Sequence, residues 1–370
     1  MTDTFDCKYT RLQATIEEAL ITVLVPENWN HLALLYAHGH RPVGSIRNAD
    51  FDLTEVYFQD LLKAGWVLGM TSYRREGRII RDAMKDMNNL RNFICNEVGI
   101  ADQFILEGRS MGGCICTHLA EVENISKLYD GVLAIGAALI TTDPEPIPAL
   151  PFTHQPEIPI LFLINESETG PIEAYINEAR ASDAPIVPAL WRVAREGHNW
   201  TNSAERSVAL RSLMSWIHYK TFITCRQYNN TQSPPYRPSE MEITETVRGR
   251  PAKGSGKVTG INLRSVFLSN FQPRDFETLG ILLGKKFSVI NQQGKRFEFI
   301  YSIYPFIGVP MGALKAYETP EGYIEFATHS YEVNHTSTLV GVEVGDTFEI
   351  AYLIAQRTQL SIPENLLPKQ

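Results

Sequence analysis

The chain has 370 residues, of which 44% are hydrophobic and 21% are charged. This length exceeds the size at which one hydrophobic core usually keeps growing, so the sequence predicts two domains. The composition is that of an ordinary globular protein and excludes intrinsic disorder. The formal net charge of -8 at pH 7 offers no general basic surface for phosphate backbones, so we expect no nucleic-acid partner.

The N-terminus and the cysteines bear on the cellular compartment. The first residues, MTDTFDCKYT, contain no basic and apolar signal segment, and no window approaches about eighteen uninterrupted apolar residues. We therefore expect neither secretion nor a membrane partner, and a cytoplasmic location. The five cysteines have spacings that match no zinc pattern, so we expect them to be reduced and to bind no metal.

Residues 32–222 alternate short apolar runs with amphipathic stretches, which is typical of βα units around a mostly parallel sheet. Apolar residues recur at helical spacing in residues 82–95 and 204–219, and both stretches are predicted to be crossover helices. The predicted strands are residues 32–36, 66–73, 104–107, 131–137, 160–164 and 191–193. This order predicts an α/β domain over residues 1–224.

The composition changes abruptly after this domain. Residues 225–257 are rich in Asn, Gln, Ser, Pro, Arg and Gly, and we predict that they form a linker. From residue 258 onwards, aromatic and β-branched runs are separated by Gly-containing turns, and FSVI-NQQGK-RFEFIYSIY has the pattern of a β-hairpin. Residues 258–370 are therefore predicted to form a small, mainly β C-terminal domain.

A glycine-rich serine motif follows the predicted strand 104–107. Residues 108–113 read GRSMGG and open the apolar helical run 114–120, so Ser110 falls on a strand-to-helix turn. A G-x-S-x-G motif in this setting exposes its serine on a strained turn, where only glycine tolerates the close approach of the backbone. The sequence therefore predicts Ser110 as a nucleophile.

A serine hydroxyl needs an oriented base to take its proton. In the sequence GHNW, His198 follows the predicted strand 191–193 and precedes the final helix, which brings it to the same end of the sheet as Ser110. Of the nine histidines, only His198 has this setting, and we expect His118 and His154 to be structural. His198 is the predicted base.

A carboxylate is expected to orient the base from the preceding strand. The strand 160–164 leads into the sequence NESET, which contains Glu166 and Glu168. We favour Glu168, because the acid usually follows the beginning of the turn, and we keep Glu166 as the alternative. Asp183 is a weaker candidate whose expected role is a cap.

Two backbone N–H groups must face the oxyanion that forms on attack. We assign the first to Met111, which follows the nucleophile, and the second to His40 in the turn after strand 32–36. The candidate substrate-binding residues are His38, Arg109 and Trp200. For the imidazoles of His38 and His40, orientation of the loop by hydrogen bonding is the alternative role.

Residues 1–222 resemble the α/β-hydrolase superfamily. The His-Gly turn at His38, the GRSMGG motif and the GHNW histidine match that superfamily in kind and order. The resemblance implies an α/β-hydrolase fold, a mostly parallel sheet flanked by helices, and hydrolysis of an ester, thioester or amide in a small-molecule acyl substrate. It departs in one respect, since the acid lies in SETG, where Asp is more usual. We find no cofactor-binding motif and expect cofactor-free chemistry.

The C-terminal segment resembles another family. Residues from Val309 to Ala313, Ala316-Tyr317, 322–327, Asn334 and 344–350 are similar to the C-terminal domain of the SAM hydroxide adenosyltransferases and related halogenases. In that family this domain forms one wall of an adenosine pocket, and the N-terminal domain that supplies the other wall is missing here. Residues 262–270 also depart from the family's Phe-Gly-Asn turn. We expect a scaffold, a pocket cover or a homo-oligomer contact.

Two classes of function follow from these patterns. The first is a serine hydrolase that forms an acyl-enzyme on Ser110, with acyl transfer or cyclisation by the same residues as a variant. The second is a non-catalytic module that binds a nucleoside or assembles subunits. The order Ser, acid, His along the chain favours the enzyme.

Overall fold

The computed structural model describes residues 7–139, 150–219, 226–228, 239–247, 250–261, 266–302, 310, 312–319, 322–328 and 336–352. Within these residues the chain forms two β-sheets, of nine and eight strands. None of the described helices is long and apolar enough to cross a membrane.

The first sheet has its strands in the order β1-β2-β4-β3-β5-β6-β7-β8-β9. The strands from β3 to β9 are parallel to one another, whereas β1 and β2 form an antiparallel hairpin at one edge. The bounds are β1 (Tyr9–Ile16), β2 (Ala19–Pro26), β3 (Leu32–Ala37), β4 (Val67–Thr71), β5 (Gln103–Arg109), β6 (Gly131–Ile135), β7 (Ile160–Asn165), β8 (Ala189–Val193) and β9 (Arg226–Tyr228).

Helices cover both faces of the first sheet. They are α1 (Val56–Lys63), α2 (Ile80–Glu97), α3 (Met111–Glu121), α4 (Glu123–Ser126), α5 (Thr169–Ala181) and α6 (Ser203–Tyr219). Alternate strand residues enter two different cores: Leu35 and Leu106 pack with α2, α3 and α5, while Leu34 and Ile105 pack with α1 and α6. Strands that are buried on both faces read as continuous apolar runs, which is why the sequence pattern identifies them.

The six strands and the crossover helices predicted from the sequence are confirmed in this sheet, with bounds that differ by a few residues. Neither β1 nor β2 is among the strands predicted from the sequence. Ile16 pairs with Ala19, so their turn consists of Glu17 and Glu18 alone, with φ angles of 46° and 70°. Two-residue hairpin turns of this kind favour Asn and Gly, and the two glutamates gave no turn signal.

The second sheet has its strands in the order β10-β11-β12-β16-β15-β14-β13-β17, and β11 also pairs with β17, which closes the sheet on itself. Its core is dominated by phenylalanines, among them Phe267, Phe287 and Phe326. The predicted hairpin is confirmed as the antiparallel pair β13 and β14. The bounds are β10 (Glu242–Val247), β11 (Arg250–Ile261), β12 (Phe267–Ser269), β13 (Lys286–Ile290), β14 (Arg296–Ser302), β15 (Leu314–Glu318), β16 (Ile324–Thr328) and β17 (Thr347–Tyr352), with helices α7 (Pro273–Thr278) and α8 (Thr336–Val340).

The predicted linker, residues 225–257, is wrong over much of its length. It contains β9 of the first sheet and β10 with most of β11 of the second. Its glycines suggested a loop, but Gly254 and Gly256 lie in β11, where other side chains approach the strand. A Cβ atom at Gly254 would lie 2.4 Å from Met241 Sδ, and one at Gly256 would lie 2.6 Å from Phe271 Cε2. Glycine is needed there for packing and not for a turn.

Of the segments that resemble the adenosyltransferase C-terminal domain, Ala316-Tyr317 lies in β15, residues 322–327 overlap β16 and residues 344–350 overlap β17. Val309, Met311 and Asn334 lie outside the described residues.

A buried ion cluster joins α1 and α6 to β5. Arg206 Nη2 lies 2.6 Å from Glu107 Oε1, and Arg206 also pairs with Glu55. Tyr57 donates a hydrogen bond to Glu107, and its ring lies 3.9 Å from the Arg206 guanidinium carbon. Burial and the Glu107 carboxylate raise the pKa of Tyr57, so the phenol stays protonated. Each charge in this cluster has a partner that offsets its desolvation.

We predict that Arg206→Ala lowers the free energy of unfolding by about 3–5 kcal/mol, because it leaves the Glu107 carboxylate buried without its countercharge. Urea unfolding followed by circular dichroism measures the change. The matched control is Arg192→Ala, which breaks an exposed pair with Glu173 and is expected to cost less than about 1 kcal/mol. Equal effects of the two substitutions would contradict a stabilising role for the buried cluster.

Candidate active site

Ser110 lies on the tight turn between β5 and α3. Its φ and ψ angles are 56° and -118°, a conformation that residues with a Cβ atom rarely adopt. The glycines around it permit the turn: a Cβ atom at Gly108 would lie 2.2 Å from Gly112 O, and one at Gly112 would lie 1.9 Å from Ala37 O. The turn therefore requires glycine on both sides of the serine and holds the serine at the carboxyl end of the sheet.

Ser110, His198 and Glu168 form one hydrogen-bonded chain. His198 Nε2 lies 2.8 Å from Ser110 Oγ, and His198 Nδ1 contacts Glu168 Oε1. Glu166, the alternative acid, is exposed, and its backbone N–H donates to Arg195 O. Asp183 is exposed at the far end of α5, where its N–H donates to Arg180 O. The structure thus places Glu168, and neither alternative, on the histidine.

The chain of hydrogen bonds defines what each group can do. With the Nδ1 proton donated to Glu168, Nε2 of His198 is left to accept the proton of the Ser110 hydroxyl. Glu168 fixes this tautomer and offsets the positive charge that the ring gains when it takes the proton. The arrangement can therefore activate Ser110 for attack on an electrophilic carbon.

His198 lies in a loop between β8 and α6, residues 194–202, which we call the histidine loop. Asn165, fully buried at the end of β7, holds this loop with its side-chain amide. Asn165 Nδ2 donates to Arg195 O at 3.1 Å and to Trp200 O at 3.0 Å, and Asn165 Oδ1 accepts the Trp200 N–H at 2.7 Å. These bonds fix the backbone on both sides of His198.

The first turn of α6 also holds the histidine loop in place. Arg195 Nη1 donates to Trp200 O at 2.6 Å, and Nη2 lies 2.9 Å from the buried carboxylate of Glu205. Glu205 also accepts the N–H of Asn202, whose side chain accepts the N–H of Glu205 in return. This reciprocal cap begins the helix and ties its first turn to the loop.

Asn199 connects the histidine loop to Ser110, and sequence reasoning missed it. Its Oδ1 accepts the Ser110 N–H at 3.2 Å, and its carbonyl oxygen accepts a hydrogen bond of 3.0 Å from Arg109 Nη2. Asn199 has a φ of 57°, and Gly136, with a φ of 49°, leaves room for its side chain. The only sequence signal was its place directly after His198.

Met111 and the turn that carries His40, the predicted sources of the oxyanion donors, adjoin Ser110. Met111 is the first residue of α3, so its N–H has no acceptor within the helix and points out of the helix start. Gly39 packs on the nucleophile from the other side, since a Cβ atom there would lie 3.3 Å from Ser110 Cβ and 3.9 Å from its Oγ. The turn that carries His40 therefore passes next to Ser110.

The imidazoles of that turn have different surroundings. His38 is buried, its Nδ1 lies 2.7 Å from Gly39 O and its Nε2 lies 3.2 Å from Ser72 O. Its carbonyl oxygen accepts the Tyr73 hydroxyl at 3.1 Å. These contacts are of the kind that the alternative role, orientation of the loop, requires. Burial, and then the charge of Arg78, lower the pKa of His40, which favours its neutral form.

Arg109 and Trp200, predicted to bind substrate, both make structural contacts. Arg109 Nη2 holds the Asn199 carbonyl, and Nη1 lies 3.9 Å from Glu55. The Trp200 ring centroid lies 6.3 Å from that of Tyr317 in the second sheet. Both residues therefore shape the surroundings of His198.

A cavity of about 420 Å³ opens at the opposite end of the first sheet, where β6 and β7 begin. It is separate from Ser110 and His198, which lie where the strands end. The residues that line the cavity are Tyr129, Asp130, Ile158, Pro159, Ile186, Trp216 and Ile217.

Among the described residues, no three His, Cys, Asp or Glu side chains are grouped so that they could hold a metal ion.

Comparison with known proteins found similar structures but no similar sequences. No protein-family model and no curated protein matches the chain. An esterase of Pyrococcus furiosus is 14% identical, with a TM-score of 0.44 over 57% of this chain and 91% of the esterase. A dienelactone hydrolase from Anabaena variabilis is 16% identical, with a TM-score of 0.39 over 57% of this chain and 98% of that chain. An uncharacterised conserved protein from Thermotoga maritima is 21% identical, with a TM-score of 0.25, and the match covers 27% of this chain and 36% of that one.

Each of these TM-scores is below 0.5, so the function proposed below rests on the geometry of the site.

We predict that Gly136→Ala destabilises the protein by about 1–3 kcal/mol through overpacking, since its Cβ atom would lie 2.2 Å from Asn199 Oδ1. In the double variant with Asn199→Ala, the cost should be smaller than the sum of the two single costs. Chemical denaturation of the four proteins gives this coupling.

Gly170→Ala is the control, because Gly170 lies in the first turn of α5 and its added Cβ would meet no atom within 4 Å outside its own helix and chain neighbours. Alanine gains helix propensity there but precedes Pro171, which disfavours helical backbone in a residue with a Cβ atom, so the net change should stay within about 1 kcal/mol. Strict additivity of Gly136→Ala and Asn199→Ala would show that the two side chains do not compete for the same space.

Proposed function

We propose that this chain is a serine hydrolase of the α/β-hydrolase type, which cleaves an ester, thioester or amide through an acyl-enzyme on Ser110. One observation carries the proposal: His198 Nε2 lies 2.8 Å from Ser110 Oγ while Nδ1 is bonded to Glu168. The strained backbone of Ser110 adds support, because backbone strain of this kind concentrates at functional sites.

In the first step, Ser110 Oγ attacks the substrate carbonyl while His198 Nε2 takes the hydroxyl proton. The carbonyl becomes a tetrahedral oxyanion, and the imidazolium that forms is stabilised by Glu168. His198 then gives its proton to the leaving alcohol, thiol or amine as the carbon–heteroatom bond breaks. The product of this half-reaction is an ester between the acyl group and Ser110.

The oxyanion needs two donors that are already in place before the reaction. We assign the N–H groups of Met111 and His40 to this role. The free N–H at the start of α3 and the position of Gly39 against Ser110 support the assignment. Donors held by the backbone do not need to reorganise as charge develops, and loss of one such donor costs about 10²–10³ in kcat in other hydrolases.

In the second half-reaction, water attacks the acyl-enzyme with His198 as base and releases a carboxylic acid. An alcohol or amine in place of water would give acyl transfer or cyclisation with the same groups.

We further propose that the substrate is a small acyl compound, that the reaction requires no cofactor and that the protein is cytoplasmic. We assign the chemistry to the unit built on the first sheet, and we assign to the second sheet a role as scaffold, pocket cover or homo-oligomer contact.

We predict that a fluorophosphonate labels the intact protein on Ser110, because such probes react with serines that a neighbouring base activates. Mass spectrometry of peptides locates the adduct. Labelling should disappear in Ser110→Ala and in His198→Ala. The matched controls are Ser215→Ala and His218→Ala, which change an exposed serine and an exposed histidine of α6 and should label like the wild type. A folded wild-type protein that acquires no adduct would overturn the proposal in favour of a binding module.

We predict that Glu168→Gln lowers kcat for an activated ester by about 10⁴-fold, as expected when the base loses the carboxylate that fixes its tautomer. Glu166→Gln, a change of the same kind two residues away on an exposed side chain, should stay within about threefold of the wild type. Steady-state kinetics of p-nitrophenyl ester hydrolysis measures both. A larger loss in Glu166→Gln would transfer the acid's role to that residue.

A further inference from the structure

The second sheet touches the first unit at the histidine loop. The Trp200 ring contacts the ring of Tyr317 on β15, with 6.3 Å between the centroids. Trp200 also packs against a small apolar cluster of buried side chains from the second sheet, separate from its phenylalanine core. The cluster consists of Val266, Tyr317 and Ala327.

The face of β15 that carries Tyr317 is turned away from the core of its own sheet. Ala316 packs into the phenylalanine core, so Lys315 and Tyr317 point to the opposite side. Ala327 pairs with Lys315 across the strands and shares this outer face. Although it is an outer face, Lys315, Tyr317 and Ala327 are all buried. Burial lowers the pKa of Lys315 to about 8, and such desolvation indicates a covered surface.

Charge links the same two regions. Glu318, the last residue of β15, has a pKa that is raised by burial and lowered by the charge of Arg195. Arg195 is the residue that donates to the Trp200 carbonyl within the histidine loop. The end of β15 therefore lies near enough to Arg195 for its charge to act on Glu318, while Tyr317 of the same strand contacts the Trp200 ring.

A second contact of the second sheet is made with the loop that follows β3, at the carboxyl end of the first sheet. A Cβ atom at Gly260 of β11 would lie 3.9 Å from Thr54 Cγ2. Thr54 directly precedes Glu55, which pairs with Arg206 and lies 3.9 Å from Arg109. The second sheet thus contacts two loops that follow parallel strands, β3 and β8, at the edge where Ser110 lies.

His198 depends on such support. Its side chain is 47% exposed, and among the described residues its ring bonds only to Ser110 and Glu168. Its position is therefore set by the backbone on either side, which Asn165 and Arg195 hold from the first unit. Asn165 and Arg195 fix the Trp200 main chain, whereas the Trp200 side chain is held from the second sheet.

We infer that the second sheet positions the catalytic base: Tyr317, by packing on Trp200, fixes the histidine loop so that His198 stays within hydrogen-bond distance of Ser110. Tyr317 and Trp200 are positioning residues, since neither touches the reacting atoms. The inference rests on the proposed function of Ser110 and His198. A base displaced by about 1 Å loses on the order of 10²-fold in rate, so the effect belongs in the chemical step.

The test is kinetic analysis of Tyr317→Ala in the full chain. We expect kcat for p-nitrophenyl ester hydrolysis, and the second-order rate of fluorophosphonate labelling at Ser110, to fall by about 10–100-fold, with KM within about threefold of the wild type. Tyr317→Phe keeps the ring and should restore at least half of the wild-type rate. Tyr352→Ala, which removes an exposed tyrosine from β17 of the same sheet, is the matched control and should leave kcat unchanged.

Hydrogen exchange separates positioning from general loss of structure. In Tyr317→Ala, amides of residues 195–202 should exchange faster while those of β5 and α3 keep their protection. Should Tyr317→Ala fail to fold, Val266→Ala removes a smaller part of the same cluster and should lower kcat by about threefold or more with the same exchange pattern.

The outcomes distinguish the inference from the proposed function. Wild-type labelling at Ser110, together with a wild-type rate in Tyr317→Ala and Val266→Ala, would overturn the inference and leave the hydrolase proposal standing. Equal losses in Tyr317→Phe and Tyr317→Ala would also overturn it. A wild-type protein without an adduct would overturn both.

Discussion

The backbone of Ser110 is held in a conformation that costs free energy, of order 1–3 kcal/mol for a residue with a side chain, and the structure around it supplies the bonds that hold it there. Its N–H donates to Ile135 O and to Asn199 Oδ1, and its carbonyl oxygen accepts the N–H groups of Ala138 and Cys114. These partners come from β6, α3 and the histidine loop. The turn is therefore over-determined, and a serine with this geometry points its hydroxyl away from the sheet toward the base.

Two buried polar systems support the site at the carboxyl end of the sheet, and they meet at Arg109. One runs from Glu107 through Arg206 to Glu55 and ties β5 to α1 and α6. The other is built on Asn165 and Arg195 and fixes the histidine loop. Arg109 contacts Glu55 on one side and the Asn199 carbonyl on the other. Buried charges of this kind are costly unless each is paired, so the two systems restrict the elements to one relative arrangement.

Sequence reasoning identified the groups whose chemistry depends on local pattern. Ser110, His198 and Glu168 each follow a buried apolar strand, and parallel strands bring their carboxyl ends to one edge, so chain order alone predicts that they meet. Asn165 and Asn199 gave no such signal, because a single amide becomes informative only when its partners in space are known. The Glu17-Glu18 turn was not predicted, and the glycines of β11 were wrongly taken to indicate a loop, for the opposite reason. There, tertiary contacts and backbone geometry override the composition that normally indicates a loop.

The contact between Trp200 and Tyr317 joins the second sheet to the loop that carries His198. Ser110, His198 and Glu168 all lie in the unit built on the first sheet, yet the loop that bears His198 is supported by both units. Asn165 holds the Trp200 main chain with two hydrogen bonds, while the Trp200 ring packs on apolar partners from the second sheet. Covering a large aromatic ring removes apolar area from water and so stabilises the loop that carries it. The outer face of the second sheet, which is itself buried, covers the Trp200 ring. The two units are therefore packed against each other at Trp200.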